Sequence, residues 1–472
     1  ANATEVNKYV TAQASSAKEG NTYGEEQIYS DNTFSYKVMN NNSIAITKIN
    51  LDNLTSGDSL IIPTEIGGLS VKRIGTDDTP VIITSSEEKA SNYKIIVPTR
   101  VTEIYMYDKE KTPITTYFLS TNIHDLKTEE RVVDDDQYIE NNIYGIRGTG
   151  LEKLSNYKGD IYNYKINNED STDYGHDYGK GYIITGLINE LQSMKLDIKI
   201  PEFIKDEKEV IHPVISVEGD YSEISDIIFP TTLNQISGNY INVNKFYVLG
   251  KKTQIDKSIR INDKGAASYY GFENSGMQSY CASNSSVNMS KLTILNDLEI
   301  RNADSIKVGV PLTTKYLEIY AGIYEESTDI DNTFIATEQI LDSENIQIKT
   351  DSGDDAFSET GSKVVVVDYC GKQSRVSVNV SELILKYNLK ADEEIFDGTQ
   401  NKIIKYNEAV GELKVPTKEN KLFGGWVTYK NVPITSQTRA TTDKDIDCFA
   451  TWQEGNVYEV TLSAGESVTA PG

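Results

Sequence analysis

The sequence predicts a multidomain, mainly β protein, and three observations lead there. The chain has 472 residues, which at roughly 150 residues per domain suggests about three domains, each able to bury a core of its own. Its apolar residues come in short Ile-, Val- and Tyr-rich runs bounded by Pro or Gly, the mark of strands between turns. The N-terminal half also repeats itself, and a repeat decides an architecture before any single element does. Composition agrees: 38% hydrophobic and 9% aromatic is polar but globular, because a disordered chain would carry far less to bury. Thirty Tyr stand against 11 Phe and two Trp. Tyr suits half-exposed sheet faces, where the ring packs and the hydroxyl stays wet. With 46 Lys and Arg against 71 Asp and Glu the net charge is −25, a field that repels phosphate and counts against nucleic acid or anionic membrane as a partner. No apolar run approaches the roughly 18 residues of a membrane span.

The first elements belong to the repeat. TFSYKV (Thr33 to Val38) and SIAITKIN (Ser43 to Asn50) return as IYNYKI (Ile161 to Ile166) and GYIITGLINE (Gly181 to Glu190). Each pair leads to an apolar triplet, a proline and a second Ile/Val-rich stretch, Ser59 to Gly75 in one copy and Asp197 to Gly219 in the other. Two further units follow in each: Lys94 to Ile104 and Tyr117 to Leu126, then Ile227 to Ile236 and Phe246 to Ile255. The offset between copies drifts, as loop insertions such as Thr172 to Lys180 require. Residues 28–157 and 158–291 therefore read as two homologous modules, behind an N-terminal segment, 1–27, expected to be poorly ordered. Within a module the units recur at uneven spacings on the order of 20 to 30 residues, near those of leucine-rich repeats. Each supplies one strand, ended by a Pro or Gly turn that cannot continue the ladder.

The pattern of an aromatic-x-Tyr, then Ile-x-Ile, then Ile-Ile-Pro-x-x-Ile-x-Gly-x-x-Val-x-x-Ile-Gly, followed by Ile-x-Val/Phe-Pro units, resembles the opening module and repeats of BspA-type leucine-rich-repeat surface proteins of bacteria. Pro98 and Pro230 keep that pattern, while Ser120 and Leu249 stand where a third proline is expected. The resemblance implies a pair of irregular leucine-rich-repeat solenoid modules over roughly half of the chain.

From about Leu292 the punctuation changes. Gly361 to Val380 gives two Val-rich runs joined at Cys370-Gly371-Lys372, and the second alternates at Val376, Val378 and Val380, the period of a strand with one buried face. Residues 292–381 resemble a bacterial Ig-like β-sandwich domain. Leu383 to Leu389 alternates again, and the Phe423-Gly424-Gly425-Trp426 run followed by Ala450-Thr451-Trp452 resembles the Listeria–Bacteroides (internalin B-type) repeat, a small β-grasp-like module, over 382–455. The resemblance places both Trp in its core; Lys390-Ala391-Asp392 replaces its usual Gly-Gly turn. Tyr458 to Leu462 within 456–472 looks like a further repeat, truncated. An opening at Ala1 and a stop at Gly472 in mid-pattern suggest a piece of a longer mature protein.

Catalysis needs a nucleophile with a base, a metal shell or paired carboxylates in unlike settings. His124, His176 and His212 lie in unrelated contexts, and HExxH, GxSxG and GxxxxGK[ST] are absent. The glycine run Gly145 to Gly150 reads as a turn. Asp134 to Asp136 and Asp351 to Asp355 lack the spacing of a calcium loop and read as solvated. Cys281, Cys370 and Cys448 are too far apart for zinc or disulfide patterns and read as small core fillers.

A surface remains. If Leu60/Ile62, Ile95/Val97, Tyr117/Leu119, Ile198/Ile200, Ile227/Phe229 and Phe246/Val248 face inward, the column between them is Ile61, Ile96 and Phe118, then Lys199, Ile228 and Tyr247. Five of these six are apolar, whereas a solvated strand face is mostly polar. Either another element or the sister module covers the column, or it is an exposed binding stripe. The expectation is a non-catalytic adhesion or recognition protein, extracellular or at a bacterial cell surface, that uses no cofactor or metal and binds host or bacterial protein or glycan. A carbohydrate-active enzyme and a structural stalk are the alternatives.

Overall fold

A computed structural model describes residues 3–5, 25–55, 57–86, 92–131, 138–167, 180–262, 266–284, 287–302, 306–327, 333–389 and 401–455. Strands hold 47% of the chain and helices 4%, so it is mainly β, in several sheets. No helix among the described residues is long and apolar enough to cross a membrane. The chain forms two compact units. The first is Ala1–Leu298 with Ile319–Ile346 and Tyr369–Lys372; the second is Glu299–Glu318, Gln347–Asp368 and Gln373–Gly472.

The first unit opens with a hairpin, Phe34–Val38 against Ile44–Asn50. Its turn follows from the Asn run: Asn42 takes a positive φ of 57°, which Asn tolerates, and the Asn41 side chain accepts the Ser43 N–H at 3.2 Å. A bulge falls between Ser35 and Tyr36, so that Tyr36 meets Ile46. From Ile44–Asn50 a parallel ladder runs through Leu69–Ile74 and Glu103–Tyr107 to Asp125–Glu129. A second parallel sheet joins Ser59–Ile61, Tyr93–Val97, Ile114–Phe118, Asn142–Tyr144 and Tyr157–Gly159. The chain passes back and forth between the two sheets, and both feed one core, with Leu60, Ile95, Val97 and Phe118 from one side and Ile46, Val71, Ile74 and Ile104 from the other.

The same construction follows again. Tyr162–Ile166 pairs with Tyr182–Leu187, with a bulge between Asn163 and Tyr164 that sets Tyr164 opposite Ile184. Tyr182–Leu187 then lies parallel to Ile211–Val217, as Ile44–Asn50 lies to Leu69–Ile74. Tyr36 and Tyr164 thus occupy one place in two copies of one motif. The other sheet of this copy runs Asp197–Lys199, Asp226–Phe229, Lys245–Val248, Ser268–Gly271 and Met289–Ile294, all parallel. Its core is aromatic: Tyr221 and Tyr240 stack at 5.2 Å, with Phe229 and Phe246 against Tyr240. Buried threonines tie one pass to the previous one, Thr232 Oγ1 donating to Val214 O at 2.6 Å and Thr253 Oγ1 to Leu233 O at 2.7 Å. Leu292 lies inside the strand Met289–Ile294, which pairs antiparallel with Ile319–Glu325, and that strand with Thr333–Gln339.

Among its strands the second unit holds most of a long hairpin, Gly361–Tyr369 and Lys372–Val380. The two linking residues, Cys370 and Gly371, have φ of 49° and 77°, the left-handed pair that a two-residue hairpin turn demands. The unit also contains a mixed sheet. Ile384–Asn388 pairs antiparallel with Asn401–Ile403 and parallel with Ile446–Glu454, which pairs antiparallel with Lys421–Val427, itself against Pro433–Ile434. In order of appearance the five strands lie 2-1-5-3-4 across the sheet. Trp426 is buried in its core, its Nε1 donating to Lys414 O at 2.6 Å, and half-buried Trp452 packs on that core. Cys281 and Cys448 are buried free thiols, which burial pushes up to about 11 and about 12.

Close passage between adjacent turns generates a prediction. Gly219 has φ 111°, and a Cβ there would sit 2.1 Å from Thr185 O, so Gly219→Ala should destabilise by on the order of 2 kcal/mol or more. Gly57→Ala, at φ 86° in open space, should cost only about 1 kcal/mol. Urea midpoints check both, and equal losses at the two positions would contradict the crowding.

Candidate functional site

The expected column divides at its third strand. Ile61 pairs with Ile96, and Ile96 with Tyr117 rather than Phe118. Phe118 therefore lies beside Val97 in the first core, while Tyr117 and Leu119, expected to face inward there, belong to the second core. The expected register was one residue off, because Ile114–Phe118 is apolar or Thr on both faces and fully buried, so alternation does not choose a side. The column that exists is Ile61, Ile96, Tyr117 and Tyr144, with the two Tyr rings stacked at 4.9 Å. All four pack in or against the second copy's core. Among the two readings of the column, these contacts describe the covered one.

Arg147, in the glycine run 145–150, fastens the copies together. Its Nε and NH2 donate to Lys205 O and Asp206 O, each at 3.1 Å. His212 sits nearby, with Nδ1 2.8 Å from Lys180 O and Nε2 2.9 Å from Asp206 Oδ2. Both ring nitrogens are thus engaged in holding loops.

In the second copy the column keeps its expected register: Lys199, Ile228, Tyr247 and then Tyr270. Tyr247 and Tyr270 stack at 4.1 Å and are buried. Its cover is polar. Lys199 Nζ lies 3.4 Å from Glu338, whose side chain is fully buried. Thr231 Oγ1 donates to Gln339 O at 2.7 Å, and Gln339 N–H donates to Glu202 Oε2 at 2.9 Å. One lysine faces two carboxyl groups. Burial, and after it the Glu338 charge, hold the Glu202 carboxyl well above the ordinary carboxylate range.

The acidic turn is plain: Asp351 to Asp355 are exposed, Asp351 pairing with Arg375 at 2.6 Å and Asp355 with Lys349. Asp134 to Asp136 and His176 lie outside the described residues, as do Lys390 to Asp392 and residues 456–472. His124 is exposed, 3.6 Å from Glu103. Among the described residues, no three His, Cys, Asp or Glu side chains are grouped to hold a metal.

A cavity of about 340 Å³ in the first copy was not legible in the sequence. Ile82–Thr84 forms one wall, laid parallel to the end of Ile44–Asn50. Glu110, Ile114, Arg131 and Tyr138 also line it. The Arg131 guanidinium lies 4.1 Å from the Tyr107 ring and 4.9 Å from the Tyr138 ring. Its NH2 is 3.3 Å from Glu110 Oε2, its backbone N–H donates to Asp108 at 3.1 Å, and its buried Nε–H has no hydrogen-bond partner among the described residues. Glu110 is buried, and that burial pushes its carboxyl up to about 7, against the pull of Arg131. Pairing of Tyr107 with Glu129 brings Arg131 to this place, a register that no local motif announces.

No protein-family model matches this chain, and no curated protein matches it. What the chain does is carried by its own geometry.

The buried triad has a signed pH dependence. Glu202 holds its proton more tightly folded than unfolded, so its contribution is complete below its ordinary 4.5 and is lost as pH rises toward the elevated folded value. Glu202→Gln should flatten the fall in stability toward alkaline pH and leave acid stability near wild type. Lys199→Met strands two buried carboxyl groups and should cost roughly 3 kcal/mol at neutral pH. Urea unfolding across pH checks both, and a Glu202→Gln slope as steep as wild type would contradict the assignment.

Proposed function

We propose that this chain is a non-catalytic recognition protein, extracellular at a bacterial cell surface. Two BspA-type leucine-rich-repeat modules carry the binding, and a bacterial Ig-like domain and a Listeria–Bacteroides repeat act as spacers. Passage of the chain between paired parallel sheets supports the repeat assignment, and the 2-1-5-3-4 mixed sheet supports the β-grasp one.

The observation that carries the functional reading is the outer face of the sheet containing Glu103–Tyr107 and Asp125–Glu129. Tyr105 stands beside Lys127 and Tyr107 beside Glu129. Tyr105 OH donates to Glu129 at 2.5 Å, and Arg131 lies on Tyr107. The tyrosines are half-buried and Lys127 and Glu129 exposed. Tyr and Arg set firmly in register are what protein recognition surfaces concentrate, because such side chains bury large area at low entropic cost. The apolar column, by contrast, is occupied by the fold itself.

The test is retention of the whole chain on arrays of glycans and extracellular matrix proteins, with Tyr105→Ala and Lys127→Glu alongside. Binding without turnover is expected, weakened about tenfold by at least one substitution at unchanged thermal stability. Release of a cleaved product, or binding indifferent to both substitutions, would contradict the reading.

A further inference from the structure

We propose that the cavity between Ile82–Thr84 and the Arg131–Glu110 pair binds the terminal ring of a neutral saccharide. This assignment rests on the recognition reading and names a ligand class for one place in the first copy.

The chemistry of the walls narrows the ligand step by step. Arg131 is clamped between Tyr107 and Tyr138, so its donors are fixed before anything binds, and little ordering cost is left to meet. Arg131 and Glu110 both line the cavity, and a purely apolar ligand would cover these polar groups without giving either a partner, which is costly. An anion would meet Arg131 but also the Glu110 carboxylate 3.3 Å from it. A cation would meet Glu110 but also Arg131, and Lys111 in the same wall.

A hydroxyl group suits both partners at once. It accepts from a guanidinium N–H and donates to a carboxyl oxygen, which no amine cation or carboxylate anion does. A ligand carrying several hydroxyls on a compact frame fits a site where such donors and acceptors sit side by side. The remaining wall joins the apolar side chains of Leu51, Ile82, Ile83 and Ile114, which match the C–H face of a sugar ring, to the hydroxyl-bearing Thr84, Ser85 and Thr112. At about 340 Å³ the space is at the small end of ligand pockets, which run from about 300 to 1,000 Å³. That favours the end of a glycan over its middle. Ile82 is 42% exposed and marks the way in.

Saturation-transfer NMR on the full chain provides the test, using methyl glycosides of glucose, galactose, mannose and N-acetylglucosamine, with glucosamine and glucuronic acid as charged comparators. At least one neutral glycoside should show ring-proton saturation, with affinity on the order of millimolar. Ile82→Trp fills the mouth from an exposed position and should abolish the signal. Arg131→Lys loses the fixed guanidinium fork and its stacking on the rings and should weaken binding about tenfold, and it decides the matter should Ile82→Trp melt early. Absence of saturation by every neutral glycoside, equal or stronger binding of a charged comparator, or binding undiminished in both folded variants would overturn the assignment. If a macromolecular ligand is still retained by the chain while no glycoside binds, the cavity assignment falls and the recognition reading stands. If neither binds, both fall.

Discussion

A parallel β-sheet needs cover on both faces, and the architecture of the first unit follows from how that need is met. The inner faces of the two sheets in a copy cover each other. The outer face of the sheet containing Ser59–Ile61 is met by the next copy: Ile61, Ile96, Tyr117 and Tyr144 are covered by the core that begins with Ile161 and Tyr162. Burying apolar area yields about 25 cal/mol per Å², so this column adds to the first copy's stability only while the second is folded on it. The copies are joined in energy as well as in sequence, and the Arg147 bridge to Lys205 and Asp206 sits on that seam.

In the second copy the same face meets a different cover. Lys199 stands where Ile61 stands in the first, and its partners are Glu338 and, beyond it, Glu202. Buried ion pairs rarely exceed a good apolar contact in strength, because desolvation takes back most of the Coulomb attraction. What they provide is discrimination. Only a strand that brings a carboxylate to Lys199 and a backbone amide to Glu202 satisfies this end of the sheet, and Thr333–Gln339 does both.

Much of this was legible in the residues. The Tyr36 and Tyr164 copies lie in matching hairpins with bulges at matching places, because the turn chemistry and alternation that define them are local. The alternation of Leu383, Leu385 and Tyr387 likewise marked a buried strand face. Legibility failed where it depended on long-range register. Tyr117 and Phe118 are both large and both buried, so only pairing with Ile96 and Val97 tells which core each enters. The cavity was hidden for a related reason: Glu110, Arg131 and Tyr138 are distant in sequence and meet only once two strands are aligned. The strand Met289–Ile294 carries the ladder past Leu292, since hydrogen bonding between parallel backbones takes no notice of a change in side-chain style.

The lysine at position 199 also bears on how long such an array can grow. An added third unit of the same kind would present an oily core to that ammonium group and entomb it without a counter-charge. A further unit on this face would therefore have to begin by replacing Lys199, whose present partner is Glu338.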